Sequence, residues 1–151
     1  MLFSEVELGD DLPETHPDVS LERVRLFCDS AGMNWGRFTD HEFAKAEGLP
    51  GAIVPGVMSQ GFLAAMIHRW APGCRIHKLD TVFRTTMLVD SHPVCRGAVT
   101  DTDEGAHTVE IDLTMVAEDG VTAVQGTAVV DLASIGHNVD RWGVGVDPGG
   151  W

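Results

Sequence analysis

The sequence contains few cysteines, and their placement excludes two kinds of scaffold. Its three cysteines, Cys28, Cys74 and Cys95, are far apart and form no paired motif. This spacing argues against both a disulfide framework and a thiolate zinc site, so we expect three small buried hydrophobic side chains. His77 follows Cys74 at a ligand-like distance, but a second ligand pair is missing. We therefore predict neither a metal nor a cofactor.

Positive charge is also scarce. Ten Lys and Arg residues stand against 23 Asp and Glu residues, which gives a formal net charge of −13. Such a chain repels phosphate backbones and anionic membrane surfaces, so we predict neither nucleic acid nor membrane as a partner. A run of about eighteen apolar residues is absent, and the first residues are acidic where a targeting peptide would be basic. We expect a soluble, cytoplasmic protein.

The few basic residues are unevenly distributed. Four of the ten lie within sixteen positions, namely Arg69, Arg75, Lys78 and Arg84. A positive edge of this kind could hold the phosphates of coenzyme A or an acidic carrier protein. The alternative interpretation is a set of scattered, solvated charges.

Length and composition indicate a single domain. The chain has 151 residues, of which 44% are hydrophobic, enough for one compact core and too few for two. The final stretch, residues 133–151, is rich in glycine and lacks periodicity. We predict one domain over residues 1–132, followed by a tail.

The first half of the chain predicts helices. Ser20 precedes a helical pattern that stops at Gly32. Thr39 and Glu42 have the spacing of a capping box, which predicts a second, short helix ending near Gly48. Residues 57–70 are uncharged almost to their end and apolar around nearly the whole circumference, so we predict a third helix that is buried on most sides.

The second half of the chain predicts strands. Apolar and polar residues alternate over residues 109–115, as in a half-buried strand. Segments rich in β-branched residues predict further strands within residues 79–90, 93–101 and 122–132, and the runs "TDEGA" and "EDG" predict tight turns. An antiparallel sheet curled around the long helix would bury both elements. The predicted fold class is α+β.

Several pieces of sequence occur together in a recognisable order. They are "VELGDDLP", a helix ending in "SAG", a run of the form D-x-x-F-A-x-x-x-G-L-P-G-x-I, a glycine opening a hydrophobic helix, and a tail of four strands. Over roughly residues 5–132 this order resembles the MaoC-like hydratase and dehydratase family. The resemblance implies a hot-dog fold, in which the sheet wraps around the long central helix. It also implies an acyl thioester, on coenzyme A or a carrier protein, as the ligand.

The chain departs from that family where the family performs its chemistry. Between the first two helices the family has D-x-N-P-(I/L)-H-x-D, whose Asp and His form an acid/base pair. The corresponding run in this chain is "MNWGRFTD", so Met33 and Phe38 replace the pair while Asp40 matches the final Asp. Acid/base catalysis contributes about 10²–10⁴-fold, so ordinary hydration should be severely impaired. Asn34 could only orient water or bond a carbonyl.

The start of the central helix, in contrast, resembles the part of the family that binds the ligand. Gly56 would let the backbone approach a ligand closely, and unpaired N–H groups there could receive a thioester oxygen. The alternative is that Gly56 only permits a turn after Pro55, where the family often has His. The predicted substrate-binding residues are Gly56, Pro55, Phe38, Met33 and Val57. The candidate catalytic residues are Asn34 and Asp40.

Three further polar residues near the predicted helices have simple structural interpretations. Asp40 is most simply an acid in the first turn of the second helix, although a carboxylate near a hot-dog cleft could act as a base. His41 is expected to be solvated. His68, near the end of the third helix, is expected to be a structural histidine favoured by the helix dipole.

Three functional hypotheses follow from the sequence. The first is a catalytically silent, acyl-binding subunit paired with a MaoC-like subunit that carries the intact Asp and His. The second is a homodimeric enzyme with a rebuilt site, acting as a hydratase through Asn34 and Asp40, as a thioesterase, or as a cyclase. The third is a structural or carrier protein with an empty cleft. A single curved sheet leaves an edge strand exposed, so we expect a homodimer or a heteromer.

Overall fold

The computed structural model of the chain describes residues 1–132, and the predicted tail, residues 133–151, lies outside the described residues. In chain order the elements are a 3-10 helix Phe3–Glu5, β1 (Asp11–Thr15), α1 (Leu21–Ala31), α2 (Gly36–Thr39), α3 (His41–Ala46), α4 (Gly56–Trp70), β2 (Arg75–Phe83), β3 (Val94–Asp103), β4 (Thr108–Val116) and β5 (Thr122–Asp131).

The five strands form one antiparallel sheet in the order β1-β3-β4-β5-β2. Helix α4 packs on its buried face, where the Met66 Cε atom lies 3.3 Å from the position of a Cβ on Gly97. The predicted alternation in β4 is confirmed, because Val109, Ile111, Leu113 and Met115 are buried while the residues that alternate with them are more exposed. The predicted arrangement of a sheet around a long helix is therefore confirmed.

The sheet has one strand more than the sequence predicts. Strand β1 was missed because its sequence, DLPET, contains a proline and three acids or hydroxyl residues instead of β-branched apolar ones. Pro13 is tolerated because β1 is an edge strand. Strand β2 is the other edge, and it ends at Phe83, so the strand predicted within residues 79–90 is wrong in its second half.

Helix α1 matches its prediction at both ends. The Ser20 Oγ atom accepts a hydrogen bond from the Arg23 N–H at 3.3 Å, which caps the N-terminus. Gly32 ends the helix with φ +68°, and its N–H donates to the Cys28 carbonyl. The apolar face of α1 buries Val24 and Cys28.

The second helix differs from its prediction because Asp40, not Thr39, is the cap. The backbone of Asp40 is extended, and its Oδ1 atom accepts the N–H groups of Glu42 and Phe43 at 2.9 and 3.1 Å. The Thr39 hydroxyl instead donates to the Trp35 carbonyl. The segment is thus split into α2 and α3, since a carboxylate caps a helix at least as well as a hydroxyl.

Helix α4 is less buried in the single chain than its composition predicts. Its inner face buries Met58, Ser59, Leu63, Met66 and Ile67. The outer face remains open, because Val57 is 60% exposed and a Cβ on Gly61 would meet nothing within 4 Å. The prediction of burial on most sides is wrong for the chain alone, since composition does not show whether a neighbouring surface is present to cover a face.

The three cysteines are buried, as predicted, and no disulfide joins them. Burial raises the pKa of the Cys95 thiol to about 11, which keeps it protonated at neutral pH. Within residues 1–132, no helix has the length and apolar character needed to cross a bilayer.

Candidate functional site

Hydrogen bonds to two other parts of the chain fix the short segment that precedes α4. The Ile53 N–H donates to the Arg37 carbonyl at 2.9 Å, and the Val54 N–H donates to the Met87 carbonyl at 2.8 Å. Residues 52–54 are therefore fixed between the end of α2 and the loop that follows β2. This places Pro55 and the start of α4 at a defined position.

The N-terminus of α4 has no side-chain cap. Pro55 is the N-cap residue and has no side chain that accepts a hydrogen bond. The first helical bond runs from the Ser59 N–H to the Pro55 carbonyl at 3.2 Å. The N–H groups of Gly56, Val57 and Met58 thus have no hydrogen-bond acceptor within residues 1–132. Together with the positive end of the helix dipole, they can bind a partially negative oxygen.

The ring of Phe83 lies directly over Gly56. A Cβ built on Gly56 would lie 3.0 to 3.3 Å from three atoms of that ring. A side chain at position 56 would therefore push the Phe83 ring, at the end of edge strand β2, away by a few tenths of an ångström. The ring is 50% exposed, so it closes one side of the site while still facing solvent.

A cavity of about 380 Å³ lies beside Gly56. It opens between the start of α4, α2 and the end of β2. Its lining residues are Phe38, Ile53, Val54, Gly56, Ser59, Phe83, Arg84, Thr85, Thr86, Met87 and Val124. None of these is an Asp, Glu, His or Cys, and Arg84 cannot give up its proton in a protein. The lining can bind and orient a ligand but offers it no Asp, Glu, His or Cys as a general acid or base.

The structure brings together two of the predicted binding residues and separates the others. Phe38 and Gly56 line the cavity. Pro55 and Val57 are the neighbours of Gly56 in the chain, but they do not line the cavity. Met33 lies in the turn that ends α1, where its N–H donates to the Cys28 carbonyl.

Neither candidate catalytic residue lines the cavity. Asn34 is exposed. The Asp40 carboxylate is the α3 cap, with Oδ1 held by two backbone N–H groups.

Ser59 is a site residue that the sequence did not reveal. It is only 2% exposed, the single polar residue in the buried core of the described chain, and it lines the cavity one turn beyond Pro55. Its hydroxyl can donate a hydrogen bond to a ligand oxygen. A serine on the apolar, inner face of the helix was the available signal.

His41 was predicted to be solvated, but both of its ring nitrogens are hydrogen-bonded within the chain. Its Nδ1 atom accepts the Ala52 N–H at 3.0 Å, so Nε2 carries the proton and donates to Asp90 Oδ2 at 2.8 Å. Asp90 Oδ1 in turn accepts the Leu21 N–H. These bonds join α3, the segment before α4 and the start of α1. The hydrogen bond from His41 is the main cause that lowers the pKa of Asp90, followed by the bond from Leu21.

Of the four clustered basic residues, one lines the Gly56 cavity. This residue is Arg84, whose Nε donates to Gln125 Oε1 at 3.0 Å. Lys78 pairs with Asp80 on the exposed side of β2. Arg75 stands at the start of β2, and Arg69 lies at the far end of α4. That these residues hold the phosphates of coenzyme A stays a prediction.

The ligand-like pair Cys74 and His77 is also separated. The Cys74 Sγ atom lies 3.6 Å from His68 Nδ1, while His77 Nε2 lies 3.6 Å from Asp131. Among residues 1–132, no three His, Cys, Asp or Glu side chains are grouped closely enough to hold a metal ion.

Comparison with known proteins identifies the fold. By sequence, no protein-family profile matches the chain, and no characterised protein matches it. By structure, it is similar to the (R)-hydratase of A. caviae involved in PHA biosynthesis, with a TM-score of 0.80 and 19% identity over 84% of this chain and 97% of that one. The R-hydratase PhaJ1 of Pseudomonas aeruginosa gives 0.82 and 17% over 88% and 86%.

A third similar structure is a chain of the ChsH1-ChsH2 complex of Mycobacterium tuberculosis. Its TM-score is 0.77 and its identity 16%, over 84% of this chain and 98% of that one. These similarities confirm the predicted hot-dog fold, in the arrangement found in MaoC-like hydratases and dehydratases.

Proposed function

We propose that this chain is a cytoplasmic MaoC-like subunit that binds acyl thioesters but does not catalyse their hydration. In this proposal a second, homologous subunit carries the acid/base pair, and the two form a heteromeric hydratase or dehydratase. The acyl group arrives on coenzyme A or a carrier protein. The observation that carries the proposal is the Gly56 cavity, whose lining includes hydrogen-bond donors but no group that titrates near neutral pH.

The start of α4 supplies the groups that would hold the thioester carbonyl. The N–H groups of Gly56 and Val57 have no acceptor in the described chain, and the Ser59 hydroxyl lies one turn further along the same cavity. A carbonyl oxygen placed there would gain hydrogen bonds and a favourable helix dipole. Apolar side chains such as Phe38 and Met87 would contact the acyl chain.

The exposed surfaces near the cavity support a partner. Strand β2 is an edge strand, and its Val82 and Phe83 are each 50% exposed. Exposed strand edges with apolar side chains favour pairing with another sheet. The similar ChsH1-ChsH2 structure is itself a complex of two proteins, which fits pairing with a different subunit.

The second candidate is a homodimeric enzyme with a rebuilt site, acting as a hydratase, thioesterase or cyclase. It would rely on Asn34 and Asp40, and the favourable observation is that Asp40 is exposed, with only its Oδ1 atom engaged in the α3 cap. A third candidate is a structural or carrier role with an empty cleft. Ligand binding and turnover distinguish all three.

The binding claim is tested by Gly56→Ala, with Gly61→Ala as the matched control on the same helix. At Gly56 a Cβ would meet the Phe83 ring at 3.0 Å, whereas at Gly61 it would meet open space. We expect a saturated acyl-CoA at about 100 times its Kd to stabilise the wild type by about 2.7 kcal/mol. Gly56→Ala should weaken binding at least about tenfold, and Gly61→Ala should not change it.

Two outcomes would contradict this proposal. The absence of a melting shift with short, medium and long acyl-CoA would favour the structural role. Unchanged binding in Gly56→Ala would show that the ligand does not approach the backbone at Gly56.

A further inference from the structure

A second cavity, of about 320 Å³, lies at the other end of α4. It is formed by the end of β1, the segment that leads into α1, and the C-terminal half of α4. Its lining residues are Thr15, His16, Pro17, Asp18, Arg23, Phe62, Ala65, Met66 and Arg69. Thirteen residues separate Gly56 from Arg69, about 20 Å along a helix, so the two cavities are distinct.

The floor of this second cavity is apolar. Phe62 and Met66 belong to the hydrophobic core or pack against it, and Ala65 is exposed on α4 beside them. Pro17 closes the floor from the side of the linker. A ligand in this cavity would place an apolar group against α4.

The rim of the same cavity is cationic. Arg69 makes no ion pair and no hydrogen bond within residues 1–132, although this chain has more than twice as many acids as bases. Arg23 has only a long contact of 3.7 Å to Asp18, with both side chains more than half exposed. His16 adds a third basic group.

Asp18 places one negative charge on this rim, against the two positive charges of Arg69 and Arg23. Its Oδ1 atom accepts the Ser20 N–H at 2.9 Å, and that backbone hydrogen bond is the largest cause that lowers the pKa of Asp18. The carboxylate is thus already bound to the chain before α1. An exposed ion pair of this length contributes little, so Arg23 can turn to another anion at small cost.

The helix dipole explains only part of this arrangement. Cations are favoured near the C-terminus of α4, which accounts for Arg69 alone. Arg23 comes from α1 and His16 from the end of β1, and neither belongs to the last turn of α4. Their convergence over an apolar floor has no such explanation.

We propose that this cavity binds a small organic anion, specifically a carboxylate on a short apolar body. The carboxylate would pair with Arg69 and Arg23, and the apolar body would rest on Phe62 and Met66. The cavity volume of about 320 Å³ is at the small end of the range for ligand sites, which suits a small ligand.

The test is a titration of the ¹⁵N-labelled full chain with hexanoate, followed by amide chemical shifts. We expect saturable shifts at Ala65 and Arg69, with none at Gly56, and a Kd of about 1 mM or lower. Hexanamide, which lacks the charge, and inorganic phosphate, which lacks the apolar body, should each bind at least about tenfold more weakly.

Three variants assign the site. Arg69→Gln should weaken hexanoate binding about tenfold, whereas Arg75→Gln, with the same charge change at the start of β2, should leave it unchanged. Ala65→Trp should fill the cavity and abolish binding, and a retained melting temperature will show that it folds.

Several results would overturn the proposal. These are no saturable shifts with hexanoate, equal binding of phosphate, or equal losses in Arg69→Gln and Arg75→Gln. The hexanoate titration contains no acyl-CoA, so failure at this cavity is separable from failure of acyl-CoA binding at the other end of α4.

Discussion

The two ends of α4 differ in what they offer a ligand. At the N-terminal end the backbone supplies N–H groups, and the surrounding cavity contains one charge, Arg84. At the C-terminal end side chains from three segments supply the polar groups, with Arg69 and Arg23 over an apolar floor. The helix dipole favours an oxygen at the first end and cations at the second. One helix can therefore support two unlike sites, and single substitutions should affect them separately.

The largest effect on stability is expected at a core residue that lies between the two ends of α4. Leu63 lies between them and is fully buried. Leu63→Ala should lower the free energy of unfolding by about 2–5 kcal/mol, because it leaves a cavity in the core. Leu63→Met, which keeps the volume, should cost less than about 1.5 kcal/mol. Urea titration measures both, and equal losses would show that packing around Leu63 is not what holds α4 in place.

A smaller loss of stability is expected from substituting a histidine near the N-terminal end of α4, and almost none from substituting one at its C-terminal end. His41 makes two hydrogen bonds near the N-terminal end of α4, at 2.8 and 3.0 Å. His41→Ala should cost about 1–3 kcal/mol, since it leaves Ala52 N–H and Asp90 without their partner. His68→Ala, at the C-terminal end, should change stability by less than about 0.5 kcal/mol. Thermal unfolding compares the two, and a larger loss for His68→Ala would refute the structural role of His41.

The contribution of Asp90, the partner of His41, to stability should depend on pH. Its pKa is lowered in the folded state, so its stabilising contribution is complete above the unfolded pKa of about 3.9 and is lost as the pH falls through the lower, folded pKa. At about pH 5 the melting temperature of the wild type should therefore be higher than that of Asp90→Asn. The difference in melting temperature should shrink towards about pH 3. The side chain is 51% exposed, so solvent screening keeps this effect small. A difference that grows in acid would contradict it.

The smallest effect is a gain. Gly61 lies on the open outer face of α4, where a methyl group would touch nothing. Gly61→Ala should stabilise the isolated chain by about 0.5–1 kcal/mol, because alanine is the better helix former. A chemical denaturation curve measures this gain. A loss of stability would mean that a second chain already covers this face.

The fold was more predictable than the site for physical reasons. Periodicity and end signals are local, so Ser20, Gly32 and the alternating residues of β4 predicted their elements correctly. The Pro-containing edge strand β1 was missed because its pairing with β3 is non-local.

The site depends on contacts between distant segments. The bond from His41 to Asp90 joins residues 49 positions apart, and the Phe83 ring reaches Gly56 from another element. The sequence suggested that Gly56 mattered, but it could not show which side chains surround it. Ser59 and the second cavity were missed for the same reason.

The most direct test of the central claim is an assay of enoyl-CoA hydration by the purified chain, run beside the binding of a saturated acyl-CoA. We predict saturable binding with no hydration above the uncatalysed rate, because no Asp, Glu, His or Cys lines the Gly56 cavity to act as general acid or base. Turnover by the chain alone at an ordinary enzymatic rate of about 1–10³ s⁻¹ would contradict this account.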